Sequence, residues 1–365
     1  MQRTRSLFSP RSIVLRLVAA AVIVPSAALA PASSAAAADA DVDWVRVIET
    51  QRSIKIETDL IEAEIPKRDP KHWMTGIEKG SFLDKTTGFR EAGDGLLVVD
   101  WIMEPGSDEI WHDQEMKTPR YLFNNLHHGT RAKRILEGPQ LCPHMKPVQP
   151  EVIRGDDFVA VRTTYRYEDA APGHKPGSQW TQVLVFPKGQ RYFFSMDRID
   201  SVNNSEAMFL RNDMPGCVRH QRGETFSEIY ISYLGGPEGL RIPPEEFYEP
   251  FSPDEKFTYR RDTDPVPSHF IRGYRIRDPE TGAVGPWLAG MTLEPSVVYE
   301  AWCNQRPGIV IFILEFGGRP IRAGESFSAA FVVGFFDTIE EMHAVNDQYR
   351  GHTAIEVDAS GWRLK

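Results

Sequence analysis

Apolar and polar residues alternate over many short runs of this chain, and that period is typical of half-buried β-strands. The clearest examples are residues 53–58 and 61–65. Further runs that predict strands, several of them almost entirely apolar, occur at 158–167, 182–186, 192–196, 228–233, 309–316 and 327–336. Twenty-eight glycines and 27 prolines punctuate the chain. We therefore expect an all-β fold, a large antiparallel β-sandwich with few short helices.

One helix is predicted near the end of the chain. Thr338 and Glu341 have the spacing of a capping box, in which each side chain binds a free backbone N–H of the first helical turn. Met342, Val345 and Tyr349 follow on a single helical face. This pattern predicts an amphipathic helix that packs on the sandwich.

The N-terminus has the composition of a secretory signal peptide. Arginines at positions 3, 5, 11 and 16 flank or begin an apolar run at 13–25, and small residues follow at 28–30 and 35–38. The apolar run is too short to cross a bilayer, and no later stretch is long enough. We expect residues 1–38 to be a signal peptide with an alanine-rich tail, residues 39–365 to form a single domain, and the protein to be secreted or periplasmic.

Net charge excludes one class of partner and singles out one segment. Loss of the four N-terminal arginines takes the formal charge from -9 to -13, so nucleic acid is not an expected partner. Residues 117–146 nevertheless hold six basic residues and three histidines against the single carboxylate Glu137. Such a run indicates an anion site or, alternatively, a solvated basic face.

Residues 73–77, 81–88 and 322–327, together with the rhythm of strands, resemble galactose-mutarotase-like β-sandwich proteins. That superfamily includes mutarotases, glycoside hydrolases and polysaccharide lyases. The resemblance implies a carbohydrate-active domain and a carbohydrate polymer or oligosaccharide as partner, and it leaves the chemistry open.

Residues 117–146 and a second basic segment, 211–222, which we expect to form a loop, favour β-elimination from an acidic, uronate-containing glycan. That reaction requires a cation to neutralise the sugar carboxylate and a base to remove the neighbouring proton. The predicted carboxylate ligand is Arg219 or Arg222, and the base is His128 or His220. Tyr230 is the predicted acid. The remaining candidates are His127 for catalysis, and Asn124, Asn125, Arg131, Arg134, Arg211, Trp101 and Trp111 for substrate binding.

Two other functions remain open. Residues 100–113 hold five carboxylates and two tryptophans, which suits a glycoside hydrolase, since that chemistry needs two carboxyl groups. The same oxygens suit a calcium site. A noncatalytic sugar-binding or mutarotase-like protein is the third alternative. Absorption of an unsaturated product, reducing ends or optical rotation would distinguish the reactions.

Cysteine placement leaves both a disulfide and a zinc site open. Cys142 and Cys217 lie close in sequence to His144 and His220. A bridge between the two thiols, which export permits, would draw both histidines together. A zinc ion bound by the same four residues would do so too. Cys303 is expected to be a buried, inert thiol, and the oligomeric state is not indicated by the sequence.

Overall fold

A computed structural model describes residues 43–67, 75–106, 133–138, 141, 145–146, 148–219, 224–252, 255–306 and 308–365. Antiparallel strands dominate this part of the chain. The strands are β1 (Val45–Glu49), β2 (Ser53–Thr58), β3 (Ile61–Pro66), β4 (Leu83–Asp84), β5 (Gly93–Pro105), β6 (Lys133–Gly138), β7 (Glu151–Arg154), β8 (Phe158–Arg166), β9 (Asp169–Ala170), β10 (Gln179–Pro187), β11 (Tyr192–Asp200), β12 (Ser205–Arg219), β13 (Phe226–Ile231), β14 (Leu240–Ile242), β15 (Tyr259–Arg260), β16 (Phe270–Arg277), β17 (Val284–Thr292), β18 (Val298–Arg306), β19 (Ile309–Ile321), β20 (Ser326–Phe336), β21 (Ile355–Asp358) and β22 (Gly361–Leu364).

Two large sheets form the sandwich. The first has nine strands in the order β14-β13-β16-β17-β20-β11-β10-β8-β7, and the second has seven in the order β15-β18-β19-β12-β5-β6-β9. A four-stranded sheet contains β1 to β4, and β21 pairs with β22. The predicted all-β antiparallel architecture is confirmed.

The main core lies between the two large sheets. Leu210 and Phe312 reach it from the seven-stranded sheet, and Phe193 and Phe331 reach it from the nine-stranded sheet. Because side chains alternate along a strand, the neighbours of these residues point to the outer faces. The outer face of the nine-stranded sheet carries a second apolar cluster, which packs against the C-terminal helix and hairpin. The outer face of the seven-stranded sheet carries a small aromatic cluster that includes Phe209 and Tyr299.

The predicted helix is present as α1 (Ile339–Tyr349). The Thr338 hydroxyl oxygen accepts a hydrogen bond from the Glu341 backbone N–H at 3.1 Å, as an N-cap does. Glu341 accepts a bond from the backbone N–H of Asp337 at 2.7 Å. Met342 is fully buried. Short 3-10 turns also occur at Gly236–Glu238, Pro244–Phe247 and Pro295–Val297.

One structural expectation was wrong. Residues 211–222 were expected to form a loop, but 211–219 belong to β12, which is paired on both sides. Register shifts interrupt both pairings. Such bulges break the two-residue alternation, and polar residues therefore occur where a regular strand would be apolar.

The N-terminal segment 1–38 lies outside the described residues. Contacts group Asp41–Lys365 into one compact unit. Over the part of the chain that the structure describes, no helix has the length and apolar character needed to cross a membrane.

A carboxylic acid is buried between the two large sheets. The side chain of Asp197 receives hydrogen bonds from Trp180 Nε1 at 2.9 Å, Gln182 Nε2 at 3.1 Å and Asn212 Nδ2 at 3.3 Å. Burial raises its pKa to about 7, because these neutral donors only partly replace water around the charged form. This core acid therefore titrates near neutral pH.

Candidate functional site

The most highly charged buried group in the described chain centres on Lys133. Its Nζ donates hydrogen bonds to Glu300 Oε2 and to Glu315 Oε2, each at 2.5 Å. The side chains of Lys133 and Glu315 are 0% exposed, and that of Glu300 is 3% exposed. Burying charges in this way is costly unless they are paired, so each must neutralise the other.

Two arginines extend this arrangement. Arg211 donates from Nε and Nη2 to Glu315 Oε1, at 3.0 and 2.5 Å. Arg260 Nε lies 3.6 Å from Glu300 Oε1. Each glutamate is thus held between the lysine and one arginine. We call Lys133, Arg211, Glu300 and Glu315 the lysine–glutamate cluster.

Strand register explains why the cluster forms. Glu300 on β18 lies directly opposite Glu315 on β19, and Glu315 lies directly opposite Arg211 on β12. Two carboxylates in such a cross-strand pair repel each other. Lys133, which comes from β6, supplies the cation that stabilises this pair.

Aromatic rings surround the two buried cations. Lys133 Nζ lies 4.9 Å from the ring centroid of Trp302 and 5.9 Å from that of Tyr299. Arg211 Cζ lies 5.1 Å from Trp302 and 5.8 Å from Trp101. These distances are in the cation–π range. Trp101 is partly exposed, as is Arg260, so the cluster reaches solvent at these two side chains.

The cluster has the groups needed for proton transfer. A carboxylate accepts a proton and an ammonium group donates one, and here a single ammonium touches both carboxylates. The two Oε2 atoms can be no more than 5.0 Å apart, since each is 2.5 Å from the same Nζ. Exposed indole rings also provide an apolar surface for the faces of a sugar.

The structure brings two predicted substrate-binding residues, Arg211 and Trp101, together in this place. Sequence analysis did not select Lys133, Glu300, Glu315 or Trp302. A signal for Glu315 existed, because it is the one charged residue in the otherwise apolar run 309–316. Its partners could not be found in the same way, since their contacts depend on strands distant in sequence.

Arg134 lies in a separate, smaller ion pair near the edge of the seven-stranded sheet. Its Nε donates to Glu104 Oε1 at 2.6 Å, and His174 Nε2 is 2.9 Å from the same oxygen. Ser205 Oγ donates to Glu104 Oε2 at 2.7 Å. Burial alone would raise the pKa of Glu104, but the bonds from Ser205 and Arg134 outweigh it and hold the pKa below its ordinary value. Glu104 therefore remains ionised and engaged.

Arg219 lies at the other end of β5. Its Nε donates to Asp94 Oδ1 at 2.6 Å, and half of its side chain is exposed. Val218 pairs with Gly93, whereas Arg134 pairs with Glu104. Eleven residues of strand separate Gly93 from Glu104, or roughly 35 Å at the usual rise. The structure does not bring Arg134 and Arg219 together.

Tyr230 lies on the outer face of the other large sheet, under α1. It is fully buried, and its hydroxyl oxygen is 2.6 Å from His343 Nε2. Burial raises the pKa of Tyr230 to about 12. The main core separates this face from Arg211 and Trp101. Tyr230 is therefore not placed to share their substrate.

The other predicted site residues lie outside the described residues. They are His127, His128, His220, Asn124, Asn125, Arg131, Arg222 and Trp111. Their roles, and those of the carboxylates at 108, 109 and 113, stay predictions.

Two of the three cysteines lie among the described residues. Cys217 and Cys303 are buried. Cys142 lies outside the described residues, so the alternative of its bridge to Cys217 stays a prediction. Burial raises the pKa of Cys303 to about 12, which agrees with an inert thiol. Among the residues with described positions, no group of three or more histidine, cysteine, aspartate or glutamate side chains is arranged to hold a metal ion. Cys142, His144 and His220 are not among them, and the zinc and calcium alternatives stay open.

No protein-family profile matches the chain, and no curated protein matches it. Several solved structures are similar in fold. The galactose 1-epimerase of Lactobacillus acidophilus NCFM is 9% identical, over 80% of this chain and 98% of that protein, with a TM-score of 0.39. A galactose mutarotase-like protein from Lactobacillus casei is 10% identical, over 80% of this chain and 99% of that protein, with a TM-score of 0.38. Both are of the kind that the sequence resembles. The fold described above rests on the strand pairing itself.

Proposed function

We propose that this chain is a carbohydrate-active enzyme in which the lysine–glutamate cluster transfers protons to and from a bound sugar. One observation carries the proposal: a buried ammonium group lies 2.5 Å from each of two carboxylates that face each other across adjacent strands. A purely structural role would be met more cheaply by apolar residues of similar size, because buried ion pairs contribute little net stability.

The sugar would enter where the cluster reaches solvent. Trp101 offers a partly exposed indole ring beside Arg211, and Arg260 lies partly exposed beside Glu300. Sugar faces pack on the indole ring, and sugar hydroxyls bind the charged groups. Trp302 and Tyr299 keep the cluster dry and strengthen its electrostatic interactions.

Interconversion of sugar anomers is the reaction that the described groups support best. It requires a base that removes the proton of the anomeric hydroxyl and an acid that protonates the ring oxygen. A glutamate and Lys133 provide that pair in one place. Hydrolysis by this cluster is less well supported, because it needs two carboxyl groups with the sugar between them. Here Lys133 Nζ occupies the space between Glu300 and Glu315.

Elimination from a uronate-containing polymer is the second candidate. Lys133, Arg211 and Arg260 place three cations around the cluster, and a sugar carboxylate would be attracted there. This candidate also requires the predicted base among His127, His128 and His220.

A panel of free sugars, neutral polysaccharides and uronate polymers tests these assignments in one experiment. Optical rotation reports anomer exchange, near-ultraviolet absorption reports elimination, and new reducing ends report hydrolysis. We expect Glu315→Gln to reduce the observed activity by about a hundredfold or more. Glu356→Gln, an exposed residue of the C-terminal hairpin, is the matched control. Equal activity of both variants, or no activity of the wild type in any arm, would refute the proposal.

We further propose that the protein is secreted or periplasmic. Support comes from the arginines, apolar run and small residues of segment 1–38. Mass spectrometry of the protein recovered from culture fractions tests it. Intact residues 1–38 on cytoplasmic protein would be the contrary result.

A further inference from the structure

A cavity of about 540 Å³ lies far from the lysine–glutamate cluster. Its walls come from the loop before β5, the residue before β13 and the turn between β16 and β17. They include Phe89, Arg90, Glu91, Thr225, Arg277 and Asp278. Ala92, which also lines it, adjoins the first residue of β5, whereas Lys133 pairs with Pro105 at the last. The strand between those ends is up to about 40 Å long.

Two guanidinium groups line this cavity without carboxylate partners in the described part of the chain. Arg90 Nη1 donates only to the carbonyl oxygens of Gly80, at 3.1 Å, and Ser81, at 3.4 Å. Arg277 is exposed. The chain has a net charge of -9, and many of its arginines form ion pairs. Two arginines without carboxylate partners therefore concentrate positive potential in this cavity.

The acids that line the cavity are already engaged. The Glu91 carboxylate accepts backbone N–H bonds from Gly80, Gly93 and Gly95. Asp278 Oδ1 accepts backbone N–H bonds from Glu280 at 2.9 Å and Thr281 at 2.7 Å. These bonded oxygens face their own loops, and neither acid forms an ion pair with Arg90 or Arg277 among the described residues.

Two further features fit a sugar rather than a bare anion. Thr225 lines the cavity, and its Oγ1 is buried with no hydrogen-bond partner among the described residues, so a ligand hydroxyl that reached it would satisfy an unpaired polar atom. The Phe89 ring lies against Gly285, where an added Cβ would approach Phe89 Cδ1 to 2.6 Å. This contact fixes the ring at the cavity wall as an apolar surface. The volume is within the range of small-molecule sites.

We infer that this cavity binds an anionic sugar unit, with Arg90 and Arg277 on its acidic group and Phe89 against its ring. It would hold part of a glycan away from the reacting unit. The choice of a sugar as the ligand rests on the proposed function. The negative charge of the ligand is inferred from the cavity alone.

Isothermal titration of the full chain with glucuronate, glucose 6-sulfate, glucose and inorganic sulfate tests it. We expect one or both anionic sugars to show binding that depends on Arg90 and Arg277, and any glucose binding, which belongs to the lysine–glutamate cluster, to be independent of these two arginines. The double variant Arg90→Gln/Arg277→Gln should bind the anionic sugar at least about tenfold more weakly. Arg322→Gln, an exposed arginine outside this cavity, should bind as the wild type does. Thr225→Val should weaken sugar binding and leave the melting temperature within a few degrees.

Unchanged binding in the double variant would overturn the inference, and so would a loss of glucose binding in that variant as large as its loss of glucuronate binding. Inorganic sulfate that binds as tightly as both sugars would show an anion site without sugar recognition. Glu315→Gln separates this inference from the proposed function. It should abolish turnover and leave glucuronate binding in this cavity intact.

Discussion

Replacement of Lys133 by methionine tests whether the cluster is held together by charge. Methionine keeps most of the side-chain volume and removes the ammonium group. Glu300 Oε2 and Glu315 Oε2 would then face each other at no more than 5.0 Å. At an effective dielectric constant of about 20, two unit charges at about 5 Å repel by about 3 kcal/mol. Loss of one partner from a buried ion pair costs about 3–5 kcal/mol in measured cases.

We therefore expect Lys133→Met to lower the free energy of unfolding by about 3–5 kcal/mol at neutral pH, measured by urea denaturation. Removal of the stranded charge in Lys133→Met/Glu300→Gln, which keeps the buried Arg211–Glu315 pair, should restore most of that loss. Lys256→Met, which removes an exposed lysine paired with Glu246, is the matched control and should change stability by less than about 0.5 kcal/mol.

The two variants also separate structure from chemistry. If the cluster is catalytic, the double variant Lys133→Met/Glu300→Gln is stable and remains inactive. A cost below about 1 kcal/mol for the single variant would refute the repulsion argument. Full activity in the stable double variant would show that Lys133 and Glu300 have a purely structural role.

Three further predictions follow from buried or capping groups. Because the folded pKa of Asp197 is about 7, above its ordinary 3.8, the folded chain holds a proton that the unfolded chain loses between about pH 4 and pH 7. The free energy of unfolding should fall by about 4 kcal/mol over that window through this group, and the Asp197→Asn variant should lack this part of the fall. Tyr230→Phe should lose the bond to His343 and about 1 kcal/mol by thermal melting, with activity kept; loss of activity without loss of stability would restore its predicted acid role. Thr338→Ala should cost about 1 kcal/mol in urea, and Thr338→Ser should recover it; no loss would argue against the observed cap.

The elements that sequence predicted well are those whose signal is local. Runs 53–58 and 61–65 alternate cleanly and lie in β2 and β3. The helix begins where Thr338 caps it. In each case the information lies within a few neighbouring residues, because burial on one face sets a short period.

The site could not be predicted in the same way. β12 contains bulges, and its three consecutive polar residues, Arg211, Asn212 and Asp213, are typical of a loop. The sequence pattern therefore predicts a loop where the structure has a paired strand. Lys133 and Glu315 are 182 residues apart, so their contact depends on strand order rather than on any local pattern. The basic run that includes Lys133 indicates an anion site, and from sequence alone the expected anion is a ligand. In the structure this lysine serves two buried carboxylates of its own chain.

The facing glutamates of β18 and β19 have a consequence for assembly. As an isolated hairpin these two strands bring like charges into register, so the hairpin is penalised until β6 docks with its lysine. Completion of the sheet is thereby coupled to a segment more than 160 residues earlier in the chain. Because of this repulsion, a partly formed sheet is less able to pair with strands of other molecules. The repulsion also favours cooperative formation of the whole sandwich.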